Sequence, residues 1–454
     1  MNAWAGVAIA GTLGGYALVS ARLSRTIVSG PMVFVAAGVV LGPLGLGLLT
    51  LGKDAEPVKV LFEATLALVL FTDALSVQSK ALRRDDFLPI RLLAVGLPLT
   101  IALGWLFAWL LLPGLNIWEM ALLGAILAPT DAALGQSAIS NPGVPAVVRQ
   151  GLNVESGLND GMSLPFFVLF LAAAAGHESA QGPAEAFFRA LVLSAVLGVA
   201  VGWAAAIALR WSAAMGWVEG QWRHILVIAA AMAAYGLAVV IEGSGFIAAW
   251  VAGLVFGTVL RSATDTLRSA TDTPRSAAAA PQLDLRHTAG LAEDLGGLLV
   301  AVSFVAFGAV LLDPALQHLN WRIVVYAVAS LTVVRMLPVV AALVRSGLRR
   351  PTVAYIGWFG PRGLASIVLG LITLEEHIPG VETVSAVIAV TVGISVYAHG
   401  ATSVPLAARY AAWWSRMSAS MPGREGAAVR NRDKRPRFGF RGHLAEQPPV
   451  PGEP

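Results

Sequence analysis

The chain has 454 residues, 57% of them hydrophobic and 13% charged, with a net charge of +4 and no Cys. Soluble proteins carry about 25% charged residues, so this composition excludes a soluble enzyme, a disordered chain and a disulfide-stapled secreted domain. With a mean hydropathy of +0.72, it describes an all-α polytopic membrane protein; without cysteine there is no thiolate metal site and no cysteine nucleophile.

A helix that crosses a bilayer needs about 20 mostly apolar residues. Cutting the sequence where charges or Pro/Gly clusters interrupt its apolar runs gives about thirteen spans, at 4–20, 28–50, 58–77, 89–112, 118–136, 145–173, 185–209, 224–241, 243–260, 293–312, 321–344, 352–374 and 381–408. The first has no positive stretch before it, and Arg22 and Arg25 follow it, so it reads as a helix rather than a cleaved leader. The eighth and ninth are divided only by Glu242-Gly243-Ser244-Gly245.

Placing the N-terminus outside puts 25 of the 31 Lys and Arg residues on the cytoplasmic side and four (Lys53, Lys59, Arg189 and Arg322) outside. That is a positive-inside bias, and it puts the C-terminus in the cytoplasm. The basic excess therefore belongs to cytoplasmic loops, not to a nucleic-acid surface. Residues 262–280 contain a seven-residue duplication and an alanine run, and 261–290 reads as a flexible cytoplasmic loop. The tail, 415–454, is basic and rich in Pro and Gly, and reads as disordered.

Ionisable groups at membrane depth cost several kcal/mol and mark function by default. Those inside the expected spans are Asp73, Asp131, Glu155, Asp160, Arg335 and Arg362. Asp131 lies in APTDAALGQ, where Pro129 removes a backbone donor and frees carbonyls near 125–126. The fifth span is thus expected to be broken, with the Thr130 hydroxyl and the Asp131 carboxylate at the break. The sixth carries VESGLNDG. Glu155 and Asn159 are four apart on one helix face, and Ser156 and Asp160 share the adjacent face. These are oxygen donors suited to a hard cation such as Na⁺.

The twelfth span carries GWFGPRGLASIVL, where Gly360, Pro361 and Gly363 predict a second break at Arg362. Arg335 sits one span earlier. Two buried Arg among buried carboxylates require pairing, because an unpaired buried charge is strongly destabilising. Breaks in spans five and twelve are the pointer to a transporter built from two inverted repeats. A shift of seven spans relates residues 1–173 to 224–408 in opposite orientation and leaves 185–209 as a linker helix.

APTDAALGQ, VESGLNDG and GWFGPRGLASIVL, in that order, resemble the NhaP-type sodium/proton antiporters of the monovalent cation:proton antiporter family, which includes the animal sodium/proton exchangers. The resemblance covers nearly all of 1–410. It implies thirteen helices, a homodimer in the plasma membrane, and exchange of Na⁺ or Li⁺ for H⁺ by alternating access, with no cofactor. Asp160 would hold the cation and the proton in turn. Asp131, Thr130 and Ser156 would complete the ion site. Glu155 would pair with Arg335 and Asn159, and Arg362 would sit at the second crossover. The family's first crossover often reads Thr-Asp-Pro; here Pro129 precedes Thr130 and Ala132 follows Asp131, which displaces the break. Asn159-Asp160 resembles the electroneutral branch, and Asp73, in LVLFTDALSV, reads as structural rather than as an access group.

Other classes fit less well. There is no HExxH and no Gly-x-Gly-Asp. Gly243-Ser244-Gly245 offers one Ser without a positioned His, and His399 reads as packed or bonded to a carbonyl. A channel needs a continuous pore, and a carrier of organic solutes needs a larger site. A K⁺/H⁺ antiporter would look the same in sequence, because both ions take oxygen ligands.

Overall fold

The computed structural model describes residues 3–24, 26–49, 56–77, 87–176, 182–270, 285–376 and 378–418. Among these the chain is helical, without strands. The first four helices are α1 (Ala3–Leu23), α2 (Gly30–Leu41), α3 (Glu56–Ser76) and α4 (Leu88–Leu111). A short pair, α5 (Ile117–Ile126) and α6 (Gln136–Ser140), leads into α7 (Ala146–Ala174). Then come α8 (Gly182–Ala214), α9 (Gly220–Val240), α10 (Gly245–Ala270), α11 (Leu285–Ala306) and α12 (Leu312–Gln317). The last five are α13 (Trp321–Leu331), α14 (Val333–Ala342), α15 (Arg350–Trp358), α16 (Leu364–Glu375) and α17 (Val381–Ser418).

Among the described residues, nine helices are long and apolar enough to cross a membrane, while α2, α5 and α16 are apolar but shorter. Helical segments fall within the expected spans, in several of them over only part of the length. The division at 240–245 is real. The chain turns through Glu242 at φ 58°, the Gly243 N–H donates to the Ala238 carbonyl, and the Ser244 N–H donates to the Ser194 hydroxyl at 2.7 Å.

The expected loop at 261–290 needs correction. Its first ten residues continue α10 and its last six open α11. Alternating polar and small residues suit a helix end as well as a loop, so composition misread them. Residues 271–284 lie outside the described residues, as does the tail beyond 418.

Two π-turns, Leu92–Gly96 and Phe307–Leu311, interrupt otherwise apolar spans. Each lies just ahead of a proline, Pro98 and Pro314. A proline has no N–H for the carbonyl four residues back, and the widened turn absorbs the defect. Pro165 similarly stands inside α7.

Packing joins α10 to α8, α3 and α9, with α11 on α2 and α3; elsewhere α5 packs on α4 and α7, and α17 on α13 and α16. The helix α7 meets both sets, touching α5 on one side and α3, α8 and α10 on the other. The largest apolar cluster runs through α3, α5, α7, α11, α16 and α17 around the two chain breaks.

Candidate functional site: two facing chain breaks beside α7

The first break opens where α5 stops at Ile126, and residues 129–131 are non-helical before the chain turns into α6. The start of α5 is held by a capping box: Asn116 accepts from the Trp118 and Glu119 N–H groups, and Glu119 accepts from the Asn116 N–H at 2.8 Å. Glu119 is buried, and its other oxygen accepts from the Gly380 N–H at 2.6 Å. Sequence reasoning missed this residue; the spacing Asn-x-x-Glu at a helix start was the available signal.

The second break separates α15, ending at Trp358, from α16, beginning at Leu364. The breaks bind each other. The Asp131 N–H donates to the Pro361 carbonyl at 2.8 Å. Asp131 Oδ2 accepts from the Leu364 N–H at 3.2 Å, and Oδ1 accepts from the Ala133 N–H at 2.9 Å. Asp131 thus caps the N-terminus of α16, where an anion also opposes the helix dipole. Gly363 makes the approach possible, because a Cβ there would lie 2.0 Å from Asp131 Oδ2.

Arg362 answers the first break from the second. Its Nη1 donates to the Ala128 and Pro129 carbonyls, the latter at 3.0 Å, and Nη2 reaches the Ser330 carbonyl at 3.5 Å. The Arg362 N–H donates to the Ser395 hydroxyl at 2.7 Å, and Ser366 Oγ donates to the Ile126 carbonyl at 2.8 Å. The carbonyls engaged at the break are those of 126, 128 and 129, slightly later than the 125–126 expected from Pro129. His399 lies on the same α17 face, bonded to the Ser395 carbonyl and packed against Trp358, as the sequence suggested.

The helix α7 supplies the third wall. Ser156 Oγ donates to the Thr130 carbonyl at 2.6 Å and accepts from the Ala132 N–H at 2.8 Å. Asn159 Nδ2 donates to Thr130 Oγ1 at 2.6 Å. The expected Asn159–Glu155 partnership is therefore corrected: the Asn159 amide turns to the non-helical segment, which offers a hydroxyl that a helix-face argument cannot foresee. The Glu155–Arg335 pairing is present as a bidentate bridge, at 2.6 Å and 2.9 Å, with both residues buried.

The carboxylates divide into two kinds. Glu155 is sealed and paired, whereas Asp73, Asp131 and Asp160 are half-buried. Asp160 Oδ1 is buried and accepts no hydrogen bond. Asp131 and Asp73 lie within electrostatic reach of Asp160, and Asp73 packs against Gly157, one turn earlier on α7. Among the described residues no three His, Asp or Glu side chains converge as a metal-holding group. Candidate oxygens for a cation at Asp160 are Asp131, within electrostatic reach, and Thr130 and Ser156, which join the first break to α7. Such a set suits a hard, weakly charged ion rather than a transition metal.

Comparison with known proteins gives the family and the fold. The family model "sodium/hydrogen exchanger, transmembrane" matches residues 9–409. A K(+)/H(+) antiporter NhaP of Alkalimonas amylolytica is 24% identical over 394 residues, covering 86% of this chain and 63% of its own. A Na(+)/H(+) antiporter 2 of Zygosaccharomyces rouxii is 26% identical over 309 residues, covering 62% of this chain and 35% of its own. The chain thus spans less than two thirds of the length of these curated relatives. The solved sodium proton antiporter MjNhaP1 of Methanocaldococcus jannaschii at pH 8 has the same fold, with a TM-score of 0.70 at 20% identity, covering 87% of this chain and 97% of that one. Matched over 9–409, with its two breaks and the VESGLNDG helix all inside that range, the chain belongs to the sodium/hydrogen exchanger family.

Proposed function

We propose that this protein is a secondary transporter that exchanges a monovalent cation for H⁺ across the membrane, with both competing for Asp160. The observation that carries this reading is the unpartnered Oδ1 of Asp160 beside two facing chain breaks. Neighbouring polar groups hold the backbone of the breaks, while this oxygen is left for a ligand. One carboxylate that must be ionised to bind the cation and protonated to return couples the two fluxes. Thr130, Asp131 and Ser156 would complete the cation's shell, and Glu155, Asn159, Arg335 and Arg362 would hold it in place.

Relatives are named for K⁺ and for Na⁺ alike; from the motif resemblance Na⁺ with Li⁺ is our first reading, and K⁺ is the second. The same proposal includes thirteen membrane-crossing helices arranged as inverted repeats over 1–173 and 224–408, joined by a linker helix at 185–209. It includes a homodimer in the plasma membrane, the N-terminus outside, and 1:1 electroneutral exchange. We assign Asp73 a structural role at the edge of the site.

The test is cation-driven proton movement in proteoliposomes carrying an internal pH dye, with Na⁺, Li⁺, K⁺ and choline, with and without an imposed potential. A potential acts at about 2.3 kcal/mol per charge per 100 mV, so an electroneutral cycle should ignore it. Asp160→Asn should abolish the response in protein that still folds. Full exchange by that variant would sink the assignment.

A further inference from the structure

The geometry points to Trp250 as a positioning residue for Asp160: its indole N–H is the donor that holds the carboxylate once the cation has left. This inference rests on the reading of Asp160 above. Trp250 lies on α10 and packs against an apolar cluster that includes Leu158 of α7. The contact is closest at Gly161, the residue after Asp160. A Cβ on Gly161 would lie 2.2 Å from Trp250 Nε1 and from Cε2. Gly161 is therefore the seat on which the indole rests, and any side chain would displace it.

Two groups on these neighbouring residues lack partners. Trp250 Nε1 is buried and donates to nothing, and Asp160 Oδ1 is buried and accepts nothing. A buried N–H without an acceptor is destabilising, so its retention here needs a reason. Pro165 adds to the case. It has no N–H to offer the Gly161 carbonyl four residues earlier, so α7 lacks its ordinary bond at this point and can give locally. An α-helix rises about 1.5 Å per residue, and Asp160 and Gly161 are consecutive. The helix also turns by about 100° per residue, so a local shift of α7 against α10 together with rotation of the Asp160 side chain would bring the free carboxylate oxygen to the N–H over Gly161.

A donor on that oxygen competes with the cation for the same lone pairs. Trp250 would therefore weaken cation binding and speed release, trading affinity for turnover. The ring by itself could not do this, which separates the proposal from a packing role.

The test compares wild type, Trp250→Phe and Asp160→Asn in the same vesicles at one fixed pH, with a cation titration. Trp250→Phe keeps the ring on Gly161 and removes the N–H. It should lower the cation KM by about 2- to 10-fold, the range of one hydrogen bond, and reduce the maximal rate. Unchanged KM and rate, with wild type active and Asp160→Asn dead, would overturn the role of Trp250 and leave the Asp160 assignment intact. An active Asp160→Asn, or an inactive wild type, would instead remove the reading on which it rests. Should Trp250→Phe not fold, the indole N–H resonances of the wild type decide. One of the 13 Trp signals should move on adding Na⁺, and the same signal should be insensitive in Asp160→Asn. No movement overturns the proposal.

Discussion

Asp131 caps Leu364 across the two chain breaks, with its Oδ2 accepting the first amide of α16 at 3.2 Å while Oδ1 is spent on Ala133. Both oxygens of this carboxylate hold backbone, so its main effect is on architecture. Losing a helix cap costs about 1 kcal/mol, with up to about 1 more from the dipole. Asp131→Asn, which keeps one acceptor oxygen, should lower the melting temperature measurably and raise the cation KM, yet retain exchange. Asp131→Ala should cost more in stability. If Asp131→Asn were as inactive as Asp160→Asn at unchanged stability, its place in the cation's shell would outweigh its architectural role.

Gly363 tests the same junction from the other side. A methyl at 2.0 Å from Asp131 Oδ2 has no room, because the neighbour is a carboxylate fixed by two backbone bonds. Gly363→Ala should therefore separate the breaks and abolish transport, with a loss of thermal stability greater than that of Asp131→Ala. Wild-type melting in detergent for Gly363→Ala would show that the breaks are not held together in this way.

The Glu155–Arg335 bridge obeys a different rule. Both residues are almost wholly buried and bonded through two parallel contacts. Breaking one side of such a pair leaves a buried charge and costs about 3–5 kcal/mol, whereas the net worth of the pair against an apolar pair is small. Glu155→Ala and Arg335→Ala should each cut yield and melting temperature, and whatever protein survives should keep the wild-type order of cation preference. Glu155→Leu combined with Arg335→Met should recover much of the stability. Single variants as stable as wild type would exclude a structural bridge.

The breaks and the buried charges were legible in the sequence because each violates the chemistry around it. Pro129 and Gly360-Pro361 cannot continue a helix, and Glu155 cannot stay charged in an apolar span without Arg335. What was not legible depends on which distant segment arrives at a given helix face. Spacing along α7 put Asn159 beside Glu155, but the non-helical Thr130 came between and took the amide. Glu119 was passed over because it sits at a span's edge, where a carboxylate costs little unless another loop covers it, as the Gly380 loop does. Trp250 carried no signal in the sequence, because only the fold sets its indole over Gly161. The helical extension of α10 through Ala270 was hidden by a repeat whose composition resembles a linker.

The Thr130–Asn159 bond joins α7 to the non-helical segment at 2.6 Å, with both residues buried. It also orients the Thr130 hydroxyl, since an amide donor fixes which lone pair remains for a cation. Thr130→Val strands the Asn159 amide as an unpaired buried donor, at a cost of roughly 1–3 kcal/mol. Asn159→Ala removes the donor and leaves a hydroxyl that can turn to another partner, so it should cost less in stability but raise the cation KM. The double variant should be more stable than the sum of the two losses predicts, by about 0.5–3 kcal/mol of coupling. Thermal melts of the four proteins, paired with cation titrations in proteoliposomes, measure this directly. Strict additivity would mean that the two side chains act independently and that Asn159 does not fix Thr130 for the ion.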